Sequence, residues 1–574
     1  MAGFRRENSM STAPSRIRNS VPRLPTWVLI AAAVVLTVNV VVMYAGAVKI
    51  GVTLDEPAHV YRLRGFFSTG WYVKDKYVVD GAVTQDGAYV YAPIVALICH
   101  AFGVLVGTDA SGFVSETAAA YTVRHVVVAS IGLLGILAVA SMARLLLRSW
   151  RWGVLAAAAL SAVPVYIGHA MFNIKDLPVA AGYAIATLGA VALTRPGIAT
   201  RRVAALAAGS LALGTWIAAG VHPAMLVGIG VSVVVALGMC WVQTSKNDPA
   251  ARSTMRARLA VAGIGSAVGY LALAASYPKL FLRPDLMFHA VLDSGHFPYH
   301  AETLTAGTFT PALAPSYYLP VWFAAQTPLL VSVLCLGAIG WFLRTQLLAS
   351  KGRTDDRDLL AGTAVVLVQA MFLPWVAIAG GSTLYQGARQ MLFVVPAMAL
   401  LATIGAWLLA RRAAHSERKA VKPTLMAAVV VGLAVPTASS AALFPYEYTW
   451  FNAATALRPI DGNWTLDYEW ASSREVLPRI DTIDAGRCVR LQPSPSCNRH
   501  QLIPYHDTIG TNVLPDEALA PGEMWRLRYG GGVAREDAPS VDYTNARDCR
   551  PETAVTRRLF WRQVTLSLIE RCRQ

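Results

Sequence analysis

Three short stretches of this 574-residue chain set ionisable side chains against apolar sequence. The first, Thr53-Leu54-Asp55-Glu56-Pro57-Ala58-His59, follows a long uncharged run. Carboxylates at the end of a membrane-length helix are costly to desolvate, so the pair invites a functional reading. Asp55 could take a proton from an attacking hydroxyl while Glu56 orients it or binds a cation, with His59 one turn on. The bland alternative is a solvated helix end. The second stretch, Gly168-His169-Ala170-Met171-Phe172-Asn173-Ile174-Lys175-Asp176-Leu177-Pro178, presses a Lys–Asp pair between two apolar segments. Lys175 could neutralise a phosphate, and Asp176, with His169 and Asn173, could hold a metal ion or a sugar hydroxyl. Its alternative is a snorkelling pair at the membrane interface. The third, Tyr385-Gln386-Gly387-Ala388-Arg389-Gln390, offers one guanidinium, a planar fork suited to phosphate oxygens. A lone interfacial Arg is more often an anchor. Three such stretches on one side of a membrane favour a site.

The elements that must position these residues are membrane spans. The chain is 55% hydrophobic and 15% charged, too few charges to coat a water-facing surface. Eleven windows are apolar enough to cross a bilayer: 26–48, 122–143, 152–168, 177–194, 203–219, 223–242, 259–276, 320–343, 359–379, 391–410 and 424–443. The first, too long for a signal-peptide core, is expected to be an uncleaved span. Alternate loops carry 24 Lys or Arg, among them Arg144, Arg148, Arg195, Arg258, Arg357 and Arg411. The opposite loops (49–121, 169–176, 220–222, 277–319 and 380–390) carry nine. The positive-inside rule then puts the N-terminus in the cytoplasm and all three stretches outside. Segment 89–106, broken by Pro93 and His100, would invert every later loop if it crossed, so it is expected to be an interfacial or re-entrant helix. The net charge of +16 lies in these loop clusters rather than a continuous groove, which argues against nucleic acid.

Around this core, residues 1–24 are Ser/Arg-rich and expected to be disordered, 25–443 form the transmembrane domain, and 444–574 a small extracytoplasmic α+β domain. Met524 to Tyr529 alternates like a strand. Cys488, Cys497, Cys549 and Cys572 all fall in that tail, an even number suited to disulfides in an oxidising compartment. Local pairing, Cys488 with Cys497 and Cys549 with Cys572, is the simplest of the three arrangements. No Gly-rich nucleotide-binding loop is present.

The Leu-Asp-Glu-Pro-Ala-His start, the Asn173-Ile174-Lys175-Asp176-Leu177-Pro178 loop, and Pro445-Tyr446-Glu447-Tyr448 followed by Asp467-Tyr468 resemble bacterial GT-C glycosyltransferases of family 39, the protein-mannosyltransferase-like type. The resemblance covers roughly residues 25–475. It implies a polytopic helical membrane enzyme that takes a sugar from a polyprenyl-phosphate carrier and passes it, with inversion, to a protein, lipid or polysaccharide acceptor on the outer face of the plasma membrane. It makes Asp55 the base with Glu56 its neighbour, and leaves Lys175 and Arg389 for the donor phosphate. A divalent metal, Mg or Mn, is an open possibility near Asp176. The sequence departs from the pattern at Gln390, where a His is commoner, and at Glu469-Trp470, where Trp-Gly is commoner. The rival reading is a multi-span transporter or flippase, which would bury ionisable groups mid-span and show two similar halves; neither is seen. A third is an assembly protein without catalysis. Asp109→Asn, away from the three stretches, is expected to be near neutral for transfer.

Overall fold

The computed structural model describes residues 22–476, 489–491, 523–529 and 547–573, apart from 75–77, 80–81, 84–89, 244–248, 298–301, 350–356 and 419. The N-terminal segment expected to be disordered lies almost wholly outside the described residues. Among the described residues, ten helices are long and apolar enough to cross a membrane. They are α1 (Thr26–Lys49), α4 (Ala118–Leu147), α7 (Asp176–Leu193), α8 (Arg201–Ala219), α9 (Met225–Gln243), α10 (Pro249–Ser276), α14 (Leu329–Ala349), α15 (Arg357–Ala379), α16 (Val394–Ala413) and α17 (Val421–Ala441). Shorter helices interrupt the series: α2 (Glu56–Thr69), α3 (Ile94–Leu105), α5 (Trp150–Ser161), α6 (Pro164–Ala170), α11 (Pro278–Phe281), α12 (Pro284–Asp293) and α13 (Tyr318–Gln326). The chain is thus a polytopic helical membrane protein.

Two expected spans are broken, 152–168 and 320–343, the latter at Thr327-Pro328 between α13 and α14. The window 152–168 is two helices, α5 and α6, meeting at 75°. Pro164 is the cause: it removes a backbone donor and forces Val163 into extended geometry, φ −92° and ψ 103°. Segment 89–106 yields only the 12-residue α3, too short to cross.

α7 is buried along its whole length, with α4, α8, α9, α15 and α16 packed around it. Its contact with α8 is close because Gly182 and Gly214 face backbone of the partner helix, where a Cβ would strike. α1, α10, α14 and α17 sit at the rim, with large apolar side chains such as Ile30, Leu271 and Leu336 facing outward. At one end of the bundle the basic loops converge: Arg148 pairs with Asp358 at 3.1 Å, Arg195 donates to Leu145 O and Asp358 O, and Arg258 donates to Leu193 O. The three motif stretches gather at the other end. Alternate loops therefore share a side, as the charge pattern requires.

Two small hairpins, β1 (Val78–Val79) with β2 (Ala82–Val83) and β3 (Thr303–Thr305) with β4 (Thr308–Thr310), decorate the motif end. The tail carries a four-stranded sheet of β5 (Val489–Leu491), β6 (Glu523–Tyr529), β7 (Arg547–Leu559) and β8 (Arg562–Arg573), in the order β5-β6-β8-β7. The alternating stretch 524–529 is therefore a strand. Among the described residues after α17, helical structure is limited to short 3-10 turns and the start of a helix near 473–476. Cys488 and Cys497 lie outside the described residues. Cys549 and Cys572 fall on the antiparallel strands β7 and β8, between the paired positions Arg547–Arg573 and Arg550–Arg571.

Candidate functional site

The sequence after α1 turns into α2 for local reasons. Asp55 stands at the N-cap, Glu56 supplies a first-turn negative charge, Pro57 fits the first turn, and Gly70, at φ +76°, ends the helix in the left-handed region. Adjacent residues at a helix start point apart, and this separates the acidic pair. Glu56 turns into the protein: Oε1 lies 2.7 Å from His125 Nε2, and Oε2 accepts from Thr53 N at 2.8 Å and Thr53 Oγ1 at 2.9 Å. Both Glu56 oxygens are thus engaged within the protein. Glu56 fixes the turn that aims Asp55.

Asp55 points to a cluster drawn from four distant parts of the chain. Its Oδ2 accepts from Lys175 Nζ at 2.8 Å and from Arg389 Nη1 at 3.0 Å. The same Arg389 nitrogen meets Asp176 Oδ2 at 3.5 Å and Glu469 Oε1 at 2.5 Å. Exposure ranks the five. Asp55 keeps 35% of its side chain open, against 7% for Lys175, 9% for Asp176, 3% for Arg389 and 2% for Glu469. An incoming molecule can reach Asp55 first.

The second stretch is shaped by Asn173. Its Oδ1 accepts from Lys175 N at 3.0 Å and Asp176 N at 2.7 Å, capping α7 in place of the Lys175 side chain. Its Nδ2 donates to Asp176 Oδ2 and to His169 Nδ1, both at 3.0 Å. With Nδ1 accepting, His169 carries its proton on Nε2 and donates to Tyr468 Oη at 3.0 Å. Asn173, held by His169, therefore braces the turn that carries Lys175 and Asp176. His59 Nδ1 lies 2.8 Å from Tyr72 Oη. Burial, with the cations Arg62 and Lys175 nearby, pushes the His59 imidazole down to about 3, so it is neutral.

Glu469 was not singled out by the sequence, where it appeared only as a departure from the family pattern. Residues 444–476, assigned to the tail, fold back against the membrane domain and deliver it. Gly168 permits the approach, since a Cβ there would collide with the backbone of Glu447 and Tyr448 in the 3-10 turn Glu447–Thr449. The turn after Leu466 is tight: Asp467 and Trp470 have φ +41° and +59°, and Trp470 N donates to Asp467 O at 2.9 Å. Asp467 fastens it by accepting from Tyr448 Oη, Ala471 N, Ser472 N and Ser472 Oγ. The one available signal was an acid set in the aromatic run Tyr468-Glu469-Trp470. Gln390, the other departure, accepts from Tyr385 N at 3.2 Å and is part of its loop's framework.

Electrostatics divide the carboxylates. Burial alone would raise Asp55, but Lys175 and Arg389 outweigh it and hold the carboxyl well below its usual range. For Glu469 burial wins and pushes the carboxyl up to about 8, against the opposing pull of Arg389. Burial would lower Lys175 and Arg389, yet the surrounding carboxylates keep both firmly charged.

Among the described residues no group of three or more His, Cys, Asp or Glu side chains is arranged to hold a metal ion. Asp55, Asp176 and Glu469 all turn an oxygen to one guanidinium nitrogen, so the charge a divalent cation would supply is already present.

A cavity of about 340 Å³ opens beside the cluster. Val179, Leu373, Val376 and Phe393 wall it, and Lys175 and Asp176 stand among its polar lining. Tyr91 lies against Lys175, 5.5 Å from Nζ to ring centre, and Tyr385 against Arg389 at 5.3 Å. Asp109 is 7% exposed and sits between His100 Nδ1 at 3.0 Å and Arg124 Nη2 at 3.2 Å, which gives it a structural load apart from the cluster.

No family model and no curated protein matches the sequence. Two crystal structures of ArnT from Cupriavidus metallidurans, one bound to undecaprenyl phosphate and one in the apo state, align over 95% of this chain and 98% of theirs. Identity is 14% and the TM-score 0.44 for each, a distant likeness.

Proposed function

We propose that this chain is a membrane glycosyltransferase that moves a sugar from a polyprenyl-phosphate donor to an acceptor hydroxyl on a protein, lipid or polysaccharide. One observation carries the reading: two buried cations, Lys175 and Arg389, converge on a single accessible carboxylate, Asp55, beside an apolar cavity. An apolar channel next to fixed positive charge suits an isoprenoid chain with a phosphate head, and needs no nucleotide pocket. The motif resemblance points the same way, and the basic opposite loops favour a reaction on the outer face of the plasma membrane.

The geometry suggests an order of events. Without donor, Lys175 and Arg389 hold Asp55 ionised but weakly basic. Donor phosphate oxygens take over part of these hydrogen bonds, and Asp55 gains basicity as it loses its cations. The acceptor hydroxyl then gives its proton to Asp55 while its oxygen attacks the anomeric carbon opposite the phosphate. The sugar–phosphate bond breaks, and Lys175 and Arg389 meet the charge that grows on the departing oxygen. A single displacement inverts the anomeric centre. The charged groups at one end of the spans, rather than at mid-depth, weigh against a transporter.

Asp55→Asn tests this. In nanodiscs supplied with a radiolabelled polyprenyl-phosphate sugar and cell-envelope acceptor, label transfer should fall about 10²–10⁴-fold, the usual contribution of a general base. The unfolding midpoint should fall only by a few degrees, because the amide oxygen still accepts from Lys175 and Arg389 and Asp55 is partly open. Full transfer by a folded Asp55→Asn protein would overturn the assignment.

A further inference from the structure

The β7–β8 hairpin ends in a two-residue turn, Phe560-Trp561, closed by the Leu559–Arg562 pair. Phe560 packs on Trp450, with ring centres 6.3 Å apart. Trp450 in turn donates from Nε1 to Ser439 Oγ at 2.9 Å, inside the last turn of α17. The other side of the turn is pinned as well: Arg562 donates from Nε to Ala456 O at 3.0 Å and from Nη2 to Leu457 O at 2.8 Å. The hairpin tip is therefore held at the level where α17 leaves the apolar layer. At that level Trp561 is 55% exposed and Leu457 69% exposed. A cavity of about 550 Å³, lined by Ala442 at the end of α17 and by Arg557, Arg558, Trp561 and Arg562, opens at the same place.

We infer that this hairpin tip is a membrane anchor, with Trp561 set at the headgroup–acyl boundary and Arg558 facing the phosphates of anionic lipids. A Trp at a span's end with basic side chains beside it matches what a bilayer interface rewards, since the indole is apolar in body and polar at its N–H. Arg557 is occupied, by Glu475 and by the carbonyls of Phe444 and Thr556, so it holds the sheet in place rather than the lipid. Arg558, exposed and part of the cavity lining, lends its Nε to Phe560 O, the hydrogen bond it makes among the described contacts. The anchor fixes the tail sheet against the membrane without involving the catalytic cluster.

Site-specific photocross-linking of the full-length protein tests this. Trp561→p-benzoylphenylalanine, in nanodiscs of equal phosphatidylglycerol and phosphatidylcholine, should give lipid adducts at a yield comparable to Val435→p-benzoylphenylalanine on the outward face of α17. Phosphatidylglycerol should be enriched about fivefold among the Trp561 adducts, the equivalent of about 1 kcal/mol per basic side chain near an anionic surface. Arg558→Glu in the same protein should bring that ratio close to one. Absence of lipid adducts at 561 while 435 reacts, or adducts only to a second copy of the chain, would overturn the anchor. A ratio unmoved by Arg558→Glu would overturn the headgroup contact.

Discussion

Arg389→Met removes the cation on which the cluster is centred while keeping a side chain of similar reach. One guanidinium nitrogen serves Glu469 at 2.5 Å, Asp55 at 3.0 Å and Asp176 at 3.5 Å, and the side chain is 3% exposed, so water cannot replace it. Asp55 keeps Lys175 and is partly open; Asp176 keeps Asn173. The charge left stranded, once pH rises past about 8, is Glu469. Breaking one buried pair costs about 3–5 kcal/mol. At about 2 °C per kcal/mol or less for a chain of this length, the unfolding midpoint should drop by roughly 5–10 °C. Adding Glu469→Gln should restore most of it, because the stranded charge is gone. The pH dependence has a definite sign. The folded Glu469 carboxyl, at about 8, sits above its unfolded value, so its favourable contribution is full below the unfolded value and fades as pH rises through 8. Loss of Arg389 raises that carboxyl further, so the penalty should be small near pH 5 and larger at pH 8.5. Intrinsic-fluorescence melts of the nanodisc-embedded protein at both pH values measure it. A penalty equal at both, or undiminished by Glu469→Gln, would refute the placement of Glu469 against Arg389.

Lys175→Ala should raise the donor KM about 10–100-fold, the worth of one charge-assisted hydrogen bond of about 1.5–3 kcal/mol, and a normal donor KM would remove Lys175 from the donor site. Asp109→Asn should lower the unfolding midpoint, since it uncouples His100 and Arg124, while transfer per folded molecule stays near wild type; the paired melt and assay check both. Glu56→Gln should cost far less transfer than Asp55→Asn, and equal losses would return Glu56 to the chemistry. A reporter fused at Gln574 should be active only outside the cytoplasm, and Cys549 and Cys572 should resist alkylation until reductant is added; labelling of both in intact cells would reject the bridge.

The span count and the shared side of alternate loops were legible in the sequence because both are one-dimensional properties. About 20 apolar residues are needed to cross a bilayer, and loop charge alternates whatever the helices do to one another. The broken span at Pro164 was less visible, since hydropathy averages over a proline that costs a helix its backbone bond. Asp55, Lys175 and Arg389 were found because each is a charge stranded beside apolar sequence. Glu56 has the same local signature as Asp55, yet the helix start sends it to His125 on α4. Glu469 reaches Arg389 across 80 positions, and Asp55 reaches it across 334.

The sequence by itself thus determined that the chain lives in a membrane, which loops lie together, and which charges are costly enough to require partners. Only the tertiary structure decided who those partners are. Desolvation acts on each charge where it stands, so its cost can be read locally, but its compensation comes from Coulomb attraction at about 3 Å, and which groups come that close is set by helix packing. The glycine of α6 at 168 and the turn at Asp467 bring residues 444–476 onto the membrane domain, and with them the carboxylate that completes the cluster.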